Sequence, residues 1–185
     1  MKNSNVRIML EGAMMIALAT VLSYIKLYDL PFGGSITLEM LPLVIMSLRN
    51  GTKWGLFTAL VHGILQMMMG FSNVLYCETL FAQILCILLD YIIAFTALGS
   101  ASLFTKVSSN KVVANTFGTA MAGAIRFVCS FLSGWILWGQ WAPEGMSAVY
   151  YSLVYNGSYM LPNIVIACVV IALLTYKAPK LLESK

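Results

Sequence analysis

Six apolar segments, separated by short polar loops, occupy most of this 185-residue chain. Hydrophobic residues make up 60% of the sequence and charged residues only 10%, whereas a soluble domain carries about 25% charged residues. A chain with so few charges cannot cover a water-facing surface, so the sequence predicts an integral membrane protein. The segments are Ile8–Leu27, Ile36–Leu48, Trp54–Phe71, Thr79–Phe104, Val112–Trp138 and Ala148–Tyr176.

The lengths of these segments predict an all-α bundle of six transmembrane helices in one domain that covers residues 1–185. A straight span needs about 20 residues. The first, fourth, fifth and sixth segments reach that length, and the third nearly does. The second has 13 residues and is expected to be tilted, kinked or partly re-entrant. The period-two alternation of a transmembrane β-barrel is not present.

The distribution of lysine and arginine predicts that both termini lie in the cytoplasm. Cytoplasmic loops of membrane proteins carry an excess of these residues. With an even number of helices and both termini inside, nine of the eleven cations fall on the cytoplasmic side, so the net charge of +4 follows from topology and nucleic-acid binding is not indicated. The nine are Lys2, Arg7, Arg49, Lys53, Lys106, Lys111, Lys177, Lys180 and Lys185.

Two ionisable residues, Asp90 and Arg126, lie near the middle of the fourth and fifth apolar segments. Charged side chains within a membrane are costly, and they usually face the interior of a bundle or a water-filled cavity. Two interpretations remain open. The residues form a structural ion pair with each other, or they face a cavity in which Asp90 accepts hydrogen bonds from a ligand amine.

Other polar residues of the fifth and sixth segments share faces with these positions. Arg126, Ser130, Gly134 and Trp138 recur every four residues, which places them along one side of a helix. Trp138 is equally compatible with the aromatic belt at the membrane surface. In the sixth segment, a shared face is formed by Ser152, Asn156, Tyr159 and Asn163. These side chains either line a binding pocket or form hydrogen bonds between helices. Their concentration toward the outside favours an outward-facing pocket for a small planar cation or amine.

Residue types needed for catalysis are sparse in this sequence. The cysteines show no metal-type spacing, and an integral membrane metalloenzyme would need clustered His, Glu or Cys ligands. The sole histidine, His62, is better explained by core hydrogen bonding than by catalysis. We therefore predict no metal and no cofactor, and we retain a membrane enzyme or an assembly scaffold as less favoured alternatives.

The first segment carries small residues at a spacing that permits close helix packing. Ala13 and Ala17 form an A-x-x-x-A pair, and small residues let another helix approach closely in a bilayer. The pair could serve a partner protein or packing within this bundle.

Four stretches of the sequence carry a specific resemblance to a known family. They are residues 33–42 (GGSITLEMLP), 88–95 (LLDYIIAF), 142–147 (APEGMS) and 151–162 (YSLVYNGSYMLP). On the basis of these stretches, the chain resembles the thiamine-specific substrate-binding subunits (S components) of energy-coupling factor transporters over essentially its whole length. The resemblance implies a six-helix vitamin binder in a prokaryotic cell membrane. Such a subunit joins a transmembrane coupling subunit and two ATPases, and ATP is hydrolysed on those partners.

The resemblance also implies roles for individual residues. Asp90 corresponds to the acidic residue that binds the aminopyrimidine, Tyr91 to its aromatic neighbour and Trp138 to the ring that stacks on the ligand. The last helix contributes polar contacts through Tyr151 and Asn156. The remaining implied positions are Gly134 for close approach, Arg126 deeper in the pocket, Tyr76 before the fourth helix, and Ala13 and Ala17 for docking to the coupling subunit.

Two positions depart from the pattern of that family. Ser130 stands where a histidine beside the thiazolium is expected, and Asp90 is shorter than the glutamate of some members. These changes leave open a ligand other than thiamine itself, such as a related pyrimidine or another small vitamin.

Overall fold

The computed structural model describes residues 2–30 and 34–183 and is almost entirely helical. Gly33, the first residue of the stretch 33–42, and Lys185 lie outside the described residues. A π-helix covers Ile87–Ile92, between two of the α-helices, and 3₁₀-helices occur at Ala101–Val107, Gly139–Trp141 and Pro179–Leu181. The α-helices in this part of the chain are α1 (Lys2–Tyr24), α2 (Met40–Asn50), α3 (Thr52–Met69), α4 (Phe71–Leu75), α5 (Leu80–Cys86), α6 (Ile93–Leu98), α7 (Lys111–Ile136) and α8 (Ala148–Lys177).

Four helical stretches in the described residues are long and apolar enough to cross a membrane. They are Asn5–Tyr24, Leu80–Leu98, Lys111–Ile136 and Ala148–Lys177. These stretches confirm the expectation of a helical membrane protein. The second predicted segment is shorter than expected, since α2 has 11 residues. The count of six spans therefore stays a prediction.

Most predicted segments agree with the observed helices to within a few residues, but the fourth does not. It was expected to continue to Phe104, whereas helix α6 ends at Leu98. The helix stops where Gly99 packs against α3, since a Cβ at Gly99 would lie 2.4 Å from the backbone of Gly55. The hydroxyl of Ser47 donates to the carbonyl of Gly99, which holds this crossing in place.

A short antiparallel hairpin connects α1 to α2. Strand β1 (Tyr28–Asp29) pairs with β2 (Ser35–Ile36), with Tyr28 opposite Ile36. The sequence predicted only a short polar loop between the first two apolar segments. The hairpin brings the chain back across the end of the bundle, so that the residues after β2 face α8.

Helices α7 and α8 pack side by side in antiparallel directions. Small residues allow their close approach: a Cβ at Gly123 would lie 2.6 Å from Ile164 Cγ1, and one at Gly134 would lie 2.3 Å from Ser152 Oγ. Small residues at helix interfaces are typical of membrane bundles, where close van der Waals packing drives association.

Basic residues gather at the end of the bundle where α7 begins, which we call the basic end. Arg49 forms an ion pair with Glu11 and donates to the carbonyls of Lys180 and Leu181. Lys111 donates to Glu183 at 2.8 Å, and this hydrogen bond lowers the pKa of the Glu183 carboxyl. Helix α7 has 26 residues and extends about 39 Å at 1.5 Å per residue, so its two ends are a membrane thickness apart.

Candidate functional site

A cavity of about 900 Å³, here called the central cavity, lies toward the end of the bundle opposite the basic end. Its walls come from the end of α1, residues 34–39, α3, the π-helix, α7 and α8. The structure brings all nine residues predicted for ligand binding to this one cavity. They are Tyr76, Asp90, Tyr91, Arg126, Ser130, Gly134, Trp138, Tyr151 and Asn156. Their roles as ligand contacts stay predictions.

Asp90 lies within the π-helix, and its carboxylate is held by two neighbours. The indole Nε1 of Trp138 donates to Asp90 Oδ2 at 3.3 Å, and the thiol of Cys86 donates to the same oxygen at 3.4 Å. π-helical turns are rare and occur frequently at functional sites. The Trp138 bond joins the π-helix to the end of α7, so a carboxylate and an indole ring occupy the same wall.

Tyr91 follows Asp90 and is fixed by contacts with the α3–α4 junction. Its hydroxyl donates to the carbonyl of Gly70 at 3.0 Å and accepts from Asn73 Nδ2 at 3.2 Å. A Cβ at Gly70 would lie 2.6 Å from this hydroxyl, so glycine is what allows the approach. Tyr91 therefore has a fixed position in the cavity wall.

All four residues of the predicted face line the cavity, three of them on α7 and Trp138 just beyond the end of that helix. Gly134 leaves space for α8, because any side chain there would collide with Ser152 and Asn156. Ser130, at the position where a histidine was expected, is buried in the cavity wall. Tyr159 lines the same cavity.

The possible ion pair between Asp90 and Arg126 is not what the structure shows. Within residues 2–30 and 34–183, the anionic partner of Arg126 is Glu39, with 3.7 Å between Arg126 Nη2 and Glu39 Oε2. The guanidinium also lies 4.1 Å from the centre of the Phe95 ring. The two ionisable residues thus face the same cavity from separate positions, which agrees with the second interpretation given above.

Helix α8 supplies polar and aromatic groups along one side of the cavity. Asn156 Nδ2 donates to the carbonyl of Ser152 at 3.0 Å, and its Oδ1 accepts from Tyr159 at 2.8 Å. Tyr151 and Tyr155 stack with 5.8 Å between ring centres. Tyr76 is 72% exposed and stands at the margin of the cavity rather than deep within it.

Glu39 is a second cavity carboxylate, which the sequence reasoning did not single out. It is nearly buried and accepts from His62 Nε2 at 3.0 Å and from Gln66 Nε2 at 2.6 Å, both at Oε1. The expected core hydrogen bond of His62 is thus present. Glu39 belongs to residues 33–42, the first of the stretches that resemble the known family, and it comes just before α2. Its position in that stretch was the signal in the sequence that could have identified it.

The segment that carries Glu39 is fastened to α8. Asn163 Oδ1 accepts from the backbone N–H of Thr37 at 2.8 Å, while Asn163 Nδ2 donates to the carbonyl of Ser35 at 2.9 Å. The backbone N–H of Gly34 donates to the hydroxyl of Tyr155 at 2.9 Å. These bonds satisfy the amide of Asn163 and fix the backbone that positions Glu39.

Ala13 and Ala17 lie on the exposed face of α1, outside the cavity. Both are exposed, whereas Gly12 and Ala19 face inward and are buried. Large apolar side chains flank the alanines, including Leu10 at 63% exposure and Met14 at 70%. Packing within this chain therefore does not account for the A-x-x-x-A pair.

Comparison with known proteins identifies the family. Residues 9–183 match the family described as Thiamine transporter protein (Thia_YuaJ). The chain belongs to this family. It is 34% identical to the thiamine transporter ThiT of Bacillus subtilis (strain 168), over 95% of this chain and 94% of that protein. It is 29% identical to ThiT of Lacticaseibacillus paracasei, over 96% of this chain and 91% of that protein.

A solved structure supports the same assignment. The structure of ThiT from Listeria monocytogenes superposes with a TM-score of 0.81 at 28% sequence identity, and the match covers 97% of this chain and 98% of that one. Membership in the thiamine transporter family confirms the resemblance found in the sequence. It makes this chain a multi-pass membrane protein of thiamine transport, a transporter rather than an enzyme.

Proposed function

We propose that this protein is the thiamine-binding membrane subunit of an ATP-driven importer of the energy-coupling factor type. The observation that carries this proposal is the hydrogen bond between Trp138 and Asp90, which places an aromatic ring and a carboxylate on one wall of the central cavity. An aminopyrimidine can stack on the aromatic ring and donate its amine hydrogens to the carboxylate. The cavity of about 900 Å³ falls within the range of about 300–1,000 Å³ that is typical of small-molecule sites.

The aminopyrimidine of thiamine is proposed to bind at Asp90. A carboxylate has about four acceptor positions, so Asp90 can accept a ligand amine in addition to the bonds from Trp138 and Cys86. Trp138 and Tyr91 also line the cavity, and aromatic rings can stack on a planar ligand. A hydrogen bond to a charged acceptor contributes about 1.5–3 kcal/mol.

The charge of the cavity favours a cationic ligand. Glu39 and Asp90 contribute two formal negative charges and Arg126 one positive charge. Lys26 also lies at the margin, but it is paired with Asp29 at 2.9 Å. The inner cavity therefore carries a formal charge of −1, which the thiazolium of thiamine would neutralise. Aromatic rings around the cavity attract cations as well.

The orientation of the cavity is proposed to be outward. The basic end, with Arg49, Lys111 and Lys180, lies at the beginning of α7, whereas Gly134 and Trp138 lie near its other end. Because cytoplasmic loops are enriched in lysine and arginine, the cavity end faces the outside of the cell. This arrangement also supports cytoplasmic termini and six membrane segments in the cell membrane of a prokaryote.

Coupling to ATP hydrolysis is proposed to occur through other subunits. The exposed face of α1, with Ala13 and Ala17 between larger apolar residues, would meet a transmembrane coupling subunit that associates with two ATPases. Close contact at small residues is how helices associate in a bilayer. The protein itself would bind thiamine and carry out no chemical step.

Isothermal titration calorimetry on the purified protein tests the ligand assignment. We expect thiamine to bind at one site per chain and to displace hydroxymethylpyrimidine, which lacks the cation and should bind more weakly. Tighter binding of the pyrimidine than of thiamine would favour a transporter for the pyrimidine moiety. An absence of heat with both compounds, at concentrations up to the millimolar range, would contradict the proposal and favour a scaffold.

A further inference from the structure

The Glu39 carboxylate is held in one orientation by donors on α3. Both His62 Nε2 and Gln66 Nε2 bond to Oε1, at 3.0 and 2.6 Å, so the other oxygen, Oε2, is the one that faces Arg126. A carboxylate oxygen accepts, so Nε2 is the protonated nitrogen of His62. The 3.7 Å between Oε2 and Arg126 Nη2 is longer than a charge-assisted hydrogen bond of about 2.7–2.9 Å. Arg126 and Glu39 therefore attract each other without forming a close pair.

His62 is fully buried and is absent from the lining of the central cavity. Its ring packs edge-to-face on Phe95, with 5.2 Å between ring centres. Among the described residues its Nδ1 has no hydrogen-bond partner. The ring nitrogen that hydrogen-bonds is therefore Nε2, which contacts Glu39. Burying a polar ring with one nitrogen unsatisfied is costly, and leucine would fill similar space at lower cost.

We propose that His62 is a positioning residue, which holds Glu39 away from Arg126 and thereby sets the preference of the cavity for a cationic ligand over an uncharged one. The inference rests on the proposed function, because it assumes that the ligand carries the thiazolium. Without the donor at His62 Nε2, one of the two observed donors to Oε1 is lost, and Glu39 can turn toward Arg126 and form a close ion pair. The charge of Glu39 would then be neutralised within the protein, and a cationic ligand would lose its counter-charge.

The test compares two ligands of nearly the same shape. One is thiamine, and the other is its uncharged analogue in which a thiophene replaces the thiazolium. We expect His62→Leu to weaken thiamine binding about tenfold or more in calorimetry, since a hydrogen bond to a charged group is removed. Binding of the uncharged analogue should change by less than about twofold, because its contacts do not depend on the charge of Glu39. His62→Gln, which keeps an N–H near Nε2, should restore most of the preference.

Two further variants separate positioning from folding. Gln66→Met removes the other donor to Oε1 and should give the same selective loss, so the inference remains testable if His62→Leu does not fold. Thr58→Val changes a buried residue one turn earlier on α3, outside the cavity lining, and should leave both affinities unchanged. Equal losses for thiamine and the uncharged analogue would overturn the inference while leaving the proposed function intact. A wild-type protein without affinity for thiamine would overturn both.

Discussion

Asp90→Ala is expected to weaken thiamine binding by a factor of a hundred or more, the largest loss among single substitutions in the cavity. The substitution removes the acceptor for the ligand amine and leaves the Trp138 N–H without its observed partner. Loss of a hydrogen bond to a charged acceptor costs about 1.5–3 kcal/mol, and a buried donor left without its partner costs about 1–3 kcal/mol. A difference of about 1.4 kcal/mol corresponds to a tenfold change in affinity. The measurement is a calorimetric titration of the purified variant with thiamine.

Glu78→Gln provides the matched control for this experiment. Glu78 is an exposed carboxylate just before α5 and does not line the central cavity. Its replacement removes the same formal charge and should change the affinity less than twofold. An Asp90→Ala protein that folds and binds thiamine as tightly as wild type would show that the aminopyrimidine is recognised elsewhere.

Ala13→Trp and Ala17→Trp are expected to abolish uptake of thiamine while leaving its binding unchanged. Both alanines lie on the exposed face of α1 and outside the cavity, so a large ring would not touch the ligand. The ring would prevent the close approach of a partner helix, on which association in a bilayer depends. The measurements are calorimetry on the isolated subunit and thiamine uptake by vesicles that contain the coupling subunit and the ATPases.

Ala124→Trp is the control for the size of the new side chain. Ala124 is an exposed alanine on α7, away from the α1 face. It should leave both uptake and binding near wild-type levels. If the α1 variants transport normally in the full complex, the partner does not dock on this face. If they also lose binding, the substitutions have disturbed the fold of the subunit.

The positions of the long helices could be predicted because each depends on a local property of the sequence. Helix α8 was expected over Ala148–Tyr176 and extends over Ala148–Lys177, since an apolar run bounded by polar residues defines a span. The convergence of Arg126 and Trp138 on one wall also followed from a local rule, the spacing of four residues along a helix.

Other features could not be predicted because they depend on contacts distant in sequence. The end of α6 is set by the crossing of Gly99 with Gly55, and hydropathy continues beyond it. The π-helical turn that presents Asp90 has no recognised signal in the apolar pattern. Glu39 lies in a short segment that hydrogen bonds to Asn163, a residue distant in sequence, fix beside the cavity.

Ionisable residues in a membrane segment are easy to recognise in a sequence, but their ion-pair partners are hard to predict, as Arg126 shows. Their cost in lipid indicates a polar interior, but a sequence does not show which opposite charge is near. Asp90 was the obvious candidate because it also lies at mid-helix. The structure instead pairs Arg126 with Glu39, which was less conspicuous because it lies at the edge of an apolar segment.

A structure of the protein with thiamine bound would test the central claim most directly. The account predicts the ligand in the central cavity, with its amine within about 3.2 Å of the Asp90 carboxylate. The aminopyrimidine should lie against Trp138 and the thiazolium on the side of Glu39. Thiamine bound outside this cavity, or inside it with the amine turned away from Asp90, would contradict the account.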